Sequence, residues 1–462
     1  MYDSLSKKTG QLISFPEKLA GKDKWKFFRT MPVEATFGFD VLTMMGEVDN
    51  GEPSQKYVVF DAIKVKLDLI DYIKNISEQV WRVYAAGCKY IVEEFSEEDL
   101  LACGYLPDYI PHIIKGGILP PDMRFDLAVH PSAFYSENYE PQHIRVLEAN
   151  VATPTFFWES FVGNMFVAEH FGLQDPNPRA FETHAALFYQ YVTEIAQIYR
   201  IDLSEFPLCF SVPQSYIEDI LAMATRQGMY SLYAESISCF TDDLVFESHP
   251  QAQPALYAHN QLVKMLMVHY PNEWFIEDVG EGINQPAEIS DTPARPWDYM
   301  AELTYSDRLI KLPSILGDVM QNKAFMAILH ECIGEFDADI VEIIQHHIPK
   351  TYFREVDAAN NCTIWWEKPI LGREGAAVKQ HNQVQPESLT WNFQPGDEEY
   401  LNQLAVFQEH CEMPEIDLGN GARKLMFTCY VGPNGQATAV AARTTTSEII
   451  DAKTGLWIPI GV

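Results

Sequence analysis

Four polar residues stand inside two apolar runs, in pairs two positions apart. Arg124 and Asp126 lie in MRFDLAV, and Glu148 and Asn150 lie in VLEANVATPT. On a strand, residues i and i+2 share a face, so each pair points one way. If the two strands are neighbours, a guanidinium, two carboxylates and an amide converge at one end of a sheet. Charge of that density is costly to bury unless it is paired or bound to a metal. Carboxylate and amide oxygens suit magnesium, which takes a few carboxylates beside phosphate oxygens. The same residues suit a plain Arg–Asp–Glu ion-pair cluster equally well, and spacing alone leaves both readings open.

Further along, Thr153-Pro154-Thr155 reads as a helix start. Thr153 is a good N-cap, and Pro154 at the first helical position loses nothing by lacking an N–H. The predicted helix is FFWESFVGNMFVAEHFG. Its N-terminal N–H groups could hold an anion such as a substrate carboxylate, with Glu159 in the first turn to orient it. Ordinary capping explains the same tripeptide. In EKPILGREGAAVK, a loop of Gly372, Arg373, Glu374, Gly375 and Ala376 interrupts two strand-like runs. Such a loop can cover phosphates with backbone N–H groups, or it can be a simple hairpin. Lys368 just before it and Arg373 within it favour phosphate.

No G-x-x-x-x-G-K-[ST] or G-x-S-x-G occurs, which argues against a Walker A nucleotide site and an α/β-hydrolase. Lys323 opens an apolar helix and Arg443 ends a strand, and each alone reads as a surface charge. His346-His347 and His410-Cys411 are adjacent pairs that could ligate a metal, but neither has a second pair at ligand spacing.

These residues need elements to position them. At 462 residues the chain is too long for one compact core, and two or three lobes are expected. Helical spacing marks residues 61–95 and 155–200. Strands are expected at MRFDLAV and HIRVLEANV. From Phe206 the pattern becomes strand (LCFSV), helix (YIEDILAMATRQG, stopped by Gly228), strand (MYSLYAES) and strand (DDLVFES). That order predicts an α/β unit with parallel pairing. ALYAHNQLVKMLMVHY reads as a helix, and GEGINQPAEISDTPARPWD as a loop. From about Leu309 helices come first. The strands TIWWEKPIL, RKLMFTCYVG and ATAVAARTT follow, the last two joined by a PNGQ turn.

The formal net charge is −32. Such a surface repels nucleic-acid backbones and attracts cations, which include a cationic substrate, although it also simply aids solubility. No apolar run reaches membrane-spanning length, and the N-terminus lacks the apolar core of a signal peptide. Eight scattered cysteines with no C-x-x-C suit reduced thiols in the cytoplasm.

The motifs also occur in a familiar order: R-F-D at 124–126, L-E-A-N-V-A-T-P-T at 147–155 with Glu159, Y-P-N-E-W at 270–274, N-K-A at 322–324, K-P-I-L-G-R-E-G-A at 368–376 and A-R at 442–443. Across residues 110–462 the chain resembles the synthetase domain of the glutathionylspermidine synthase family, ATP-grasp carboxylate–amine ligases. The resemblance implies an α+β or α/β chain with an ATP-grasp fold, a helical N-terminal region and an α/β pre-ATP-grasp-like lobe. The expected segments are 1–205, α-rich with the metal- and substrate-binding hairpin; 206–308, the α/β lobe; and 309–462, the ATP-grasp lobe with the glycine loop.

The resemblance also implies roles. Asp126, Glu148 and Asn150 would hold Mg²⁺, and Arg124 would steady the charge that develops in transfer. Lys323 and Lys368 would contact ATP phosphates, with Glu374, Gly375 and Ala376 folding over them. Thr153, Thr155, Glu273, Arg373 and Arg443 would hold a glutathione-like acid, with Glu159 beside them, and Gln403 would lie near adenine. ATP would phosphorylate a carboxylate, and a polyamine-like amine would displace phosphate to form an amide. Members are often dimers, which leaves a homodimer open. The first hundred or so residues lack a Cys/His amidase segment, so hydrolysis of the product is not expected. Segments 276–300 and 377–400 look longer than the family pattern. The competing readings are a non-catalytic nucleotide- or peptide-binding descendant and a kinase that stops at the phosphorylated acid.

Overall fold

The computed structural model describes residues 11–14, 59, 61–136, 139–214, 217–249, 252–277, 295–386, 390–393, 397–418, 421–449 and 454–462. The expected loop at 280–298 therefore lies outside the described residues as far as 294, and so does most of the N-terminus before residue 59. Part of the long segment 377–400, at 387–389 and 394–396, lies outside them too. At the end of the loop segment, Pro296 opens the helix Pro296–Tyr305.

The site rests on a six-stranded sheet. Its order is Leu456–Trp457, Ala437–Thr445, Ala422–Val431, Met123–Val129 and Ile144–Asn150, with Glu415–Asp417 also paired to Ala422–Val431. The two strands read from MRFDLAV and HIRVLEANV are antiparallel neighbours, with Asp126 opposite Glu148 and Arg124 opposite Asn150. Strand alternation then splits the sheet into an apolar face and a chemical face. Phe125 points away from Arg124 and Asp126, and its ring meets Tyr84 edge-on at 5.3 Å. Tyr84 belongs to the helix Leu67–Glu94, which buries Leu69, Ile73, Ile76, Val80, Val83 and Ile91 on one stripe. A second helix, Ala324–Glu331, comes close because Gly87 has no side chain. A Cβ there would stand 2.6 Å from Leu329 Cδ2.

A four-stranded sheet runs Ile310–Leu312, Met265–Val268, Leu208–Val212 and Ser236–Phe240. Its pairings are parallel, as the strand–helix–strand pattern predicts. A five-stranded antiparallel sheet carries Ile364–Pro369 between Ala405–Glu409 and Val378–Asn382. Strand pairing crosses the segment limits at 205 and 308, because residues 123–150 share a sheet with 422–457 and Ile310–Leu312 completes the parallel one.

Three expectations change. The stretch 255–270 is not a helix. It forms the end of strand Ala252–Ala258, the short strand Gln261–Leu262 and the strand Met265–Val268. His259 and Asn260 both have positive φ, at 49° and 64°, and turn the chain between the first two strands. The helix from Ile217 runs through Gly228 to Ser231, so MYS closes the helix and the next strand is Ser236–Phe240. Thr153 does not cap a helix. Phe156 is left-handed with φ 74°, and the helix begins only after it, with a wide π-turn at Glu159–Gly163. All eight cysteines are free thiols. Among the described residues, no helix is long and apolar enough to cross a membrane.

Candidate active site

A cavity of about 570 Å³ opens on the chemical face of the central sheet. Arg124 grips Asp126 through two parallel hydrogen bonds of 2.9 Å. Its third nitrogen donates to the Thr155 carbonyl and hydroxyl oxygens at 3.0 Å. Asn150 Nδ2 donates to Asp126 at 3.1 Å and to Glu148 at 3.3 Å. The predicted ion-pair cluster therefore exists, and it faces the cavity.

Two lysines complete it. Lys323 Nζ stands 3.8 Å from Glu148 and donates to the Gly372 carbonyl. Lys368 Nζ donates to Gln408 Oε1 at 2.6 Å and to the Leu147 carbonyl at 3.4 Å. Burial alone would raise the Glu148 carboxyl, but Lys323, Lys368 and Arg124 outweigh it and hold Glu148 at about 2. Burial lowers both lysines, Lys368 to about 8. Burial also raises Asp126, although Arg124 opposes the shift. Opposite charges thus hold one another in their ionised forms inside a partly closed space.

The glycine loop lies beside this cluster, between antiparallel strands as expected. Glu374, Gly375 and Ala377 all have positive φ, at 51°, 72° and 55°. At Gly372 a Cβ would press within 3.2 Å of the Pro369 carbonyl. The loop is tied down from several sides. Asn392 donates to the Gly375 carbonyl at 2.9 Å, and Leu371 N–H donates to Gln403 at 3.2 Å. Arg373 reaches across the cavity to Glu273 and donates to Thr153 at 2.9 Å. Tyr109 donates to the other oxygen of Glu273 at 3.3 Å.

Of the residues singled out in the sequence, Arg124, Asp126, Glu148, Asn150, Thr153, Thr155, Glu273, Lys323, Lys368, Arg373, Glu374, Gly375 and Arg443 line this one cavity. Ala376 and Gln403 do not line it; Gln403 accepts from Leu371 N–H instead. Glu159 is buried in the π-turn. Arg443 lies over the Phe156 ring at 5.5 Å. His347 does not join the site; its Nδ1 meets the Ile144 carbonyl at 2.9 Å. Among the described residues, no three His, Cys, Asp or Glu side chains gather as a metal site, and the cluster offers two carboxylates, Asp126 and Glu148, with the Asn150 amide beside them.

Several lining residues carried no usable sequence signal. Asp318, Glu218 and Asp219 add carboxylates to the lining. Burial pushes Asp318 up to about 6, and Asn272 donates to it at 2.6 Å. Asp219 lies 3.3 Å from the buried His269. The wall also includes Trp366, Met413, Met426 and Ile449, together with His410 and Cys411, the adjacent pair that the sequence did single out as possible metal ligands. Trp366 had one signal, its position two residues before Lys368 on the same strand.

The model of the family described as glutathionylspermidine synthase pre-ATP-grasp matches residues 55–459. The chain belongs to this family. It is therefore grouped with synthetase-like ligases. None of the curated proteins matches it. A glutathione synthetase-like effector, GSS30, from Globodera pallida in its apo form is similar in structure, with a TM-score of 0.51 and 10% identity. The match covers 91% of this chain and 94% of that one. At that identity the likeness concerns the fold, an α+β ATP-grasp-like arrangement, which agrees with the family assignment.

Proposed function

We propose that this family member is an ATP- and Mg²⁺-dependent ligase that joins a substrate carboxylate to an amine through an acyl phosphate. The observation that carries the reading is the meeting, in one cavity, of Lys323, Lys368, the Arg124–Asp126–Glu148–Asn150 cluster and the glycine loop. Asp126, Glu148 and Asn150 supply the hard oxygen donors that fit Mg²⁺. When bound there, the ion would neutralise phosphate charge.

The remaining chemistry falls to the chain. Lys323 and Lys368 offer ammonium groups to phosphate oxygens, and the loop around Gly375 covers them. A carboxylate oxygen of the acid takes the γ-phosphoryl group and ADP leaves. Arg124 would steady the charge that builds on the acyl carbonyl as the amine attacks. The carbon–oxygen bond to phosphate then breaks, phosphate departs and the amine loses a proton. Arg373, Thr153 and Arg443 suit a carboxylate of the acid, glutathione or another peptide. Glu218, Asp219 and Asp318 suit the positive charge of a polyamine-like amine. No nucleophilic side chain is needed, in keeping with a site built from charge and position.

The test is to incubate the purified chain with Mg-ATP and a panel of peptide acids and amines, following ADP and new amide mass together. Release of both with one pair supports the reading. ADP without amide would support a kinase, and no ADP with any pair would overturn the ligase.

A further inference from the structure

His410 is part of the adjacent His–Cys pair, and its side chain belongs to the cavity wall. Trp366 Nε1 donates a hydrogen bond to His410 Nδ1 at 3.0 Å. An indole nitrogen can only donate, so His410 must accept at Nδ1. In the neutral ring the proton then sits on Nε2. Burial lowers the His410 pKa below its usual 6.5 and keeps the ring neutral. Nε2 makes no hydrogen bond to any described residue. A fixed donor thus borders the cavity.

Its position along the sheet is also fixed. Trp366 and Lys368 are two apart on the strand Ile364–Pro369 and share a face. His410 N–H donates to the Ile364 carbonyl at 3.2 Å, which sets His410 on the far side of Trp366 from Lys368. The three side chains follow one another along the sheet at roughly 6–7 Å per two residues of strand. A nucleotide with its phosphates at Lys368 would bring its base to Trp366. The base edge farthest from the ribose then meets His410. On that edge adenine carries the N1 acceptor beside its N6 amino group, and guanine carries N1–H, a donor, beside its O6 acceptor, so the two bases are opposite at the N1 position itself.

We propose that His410, fixed in its Nε2–H form by Trp366, donates to adenine N1 and rejects guanine by setting donor against donor. The inference rests on the ligase reading above for the position of the phosphates. A buried donor left without an acceptor costs more than the matched hydrogen bond gains, which makes this a device for discrimination.

The experiment is thermal unfolding of the full chain with Mg²⁺ and ATP, GTP or inorganic tripolyphosphate. The wild type is expected to shift most with ATP, with GTP no better than tripolyphosphate. His410→Ala keeps the tripolyphosphate shift and loses the ATP margin, with ATP affinity down roughly three- to tenfold for one neutral hydrogen bond. His410→Gln, which carries an N–H at similar reach, recovers part of it. Equal shifts with ATP and GTP in the wild type, or an ATP margin that survives His410→Ala, overturn the proposal and leave the ligase reading standing. Loss of the tripolyphosphate shift in both variants would make His410 a prop of the cavity, which overturns it too. If none of the three ligands stabilises the wild type, the nucleotide reading falls and the role of His410 falls with it.

Discussion

Arg373 gives two hydrogen bonds to a single oxygen of Glu273, at 2.9 and 2.6 Å, across the mouth of the cavity. The pair ties the glycine loop to the helix Asn272–Glu277. Their side chains are 21% and 12% exposed, so solvent screens the pair only in part.

Glu273→Ala would leave Arg373 with the Thr153 hydrogen bond and its place over the Trp274 ring. The expected cost is about 1–3 kcal/mol, the range for stranding a buried polar partner. Arg373→Met with Glu273→Ala should cost less than the two single changes added together. Urea midpoints for the four proteins measure this. Additivity within about 0.5 kcal/mol would mean that the pair does not couple.

Glu148 makes a different prediction, because its neighbours are cations. Glu148→Gln keeps the shape and the contact with Asn150 but leaves Lys323 and Lys368 without their carboxylate. The fold should persist with little change in Tm. ADP release should fall by about 10²–10³-fold, as for loss of one charge contact in a transition state. A collapse in Tm with activity lost only in proportion would return the cluster to a structural ion pair.

Much of this cluster was legible in the sequence because strand geometry is periodic. Arg124 and Asp126, like Glu148 and Asn150, are two apart, and adjacent antiparallel strands did the rest. The glycine loop was legible for a similar reason, since Gly372 and Gly375 serve local needs. The misread segments were also local. The positive φ of His259 and Asn260 broke an apolar run whose spacing suited a helix. The left-handed turn at Phe156 likewise removed Thr153 from its capping position. Glu218, Asp219 and Asp318 were illegible for another reason. They reach the site from the helices Ile217–Ser231 and Ile315–Gln321 only through tertiary packing, and no short-range pattern encodes that.

Two buried histidines set an acid limit. His184 and His347 are both lowered by burial to about 4. The unfolded chain protonates them near 6.5, so folding keeps protons off them between those values. Their contribution to stability is complete above about pH 6.5 and is lost as pH falls towards 4. For the fully buried His184 the loss at pH 5 is about 2 kcal/mol. Comparing Tm at pH 7.5 and 5.0 in the wild type and His184→Gln tests this. The variant should show the smaller drop on acidification, and an equal drop would remove His184 from the acid response.

Gly375 can be tested through its backbone. Its φ of 72° suits glycine, and Gly375→Ala should cost about 1–2 kcal/mol for an L-residue in that region. The strain lies in a loop held by Asn392, so it should appear as weaker nucleotide binding more than as a lower Tm. Unchanged binding of Mg-ATP in Gly375→Ala would mean that the loop does not close over the phosphates.

Lys368 is the most exacting case, because its partner can be changed without touching its charge. Lys368→Met removes the ammonium group, and ATP affinity should fall about 10- to 100-fold, as for a lost charged hydrogen bond. Gln408→Leu leaves Lys368 charged but removes its 2.6 Å acceptor, and only the Leu147 carbonyl, at 3.4 Å, still orients it. If Gln408 serves to aim Lys368, Gln408→Leu should weaken ATP by a smaller factor and add nothing in a Lys368→Met background. Calorimetric titration of the three variants with Mg-ATP reads this. A further loss in the double variant would mean that Gln408 supports the cavity by another route, through its contacts with Thr351 and Met326.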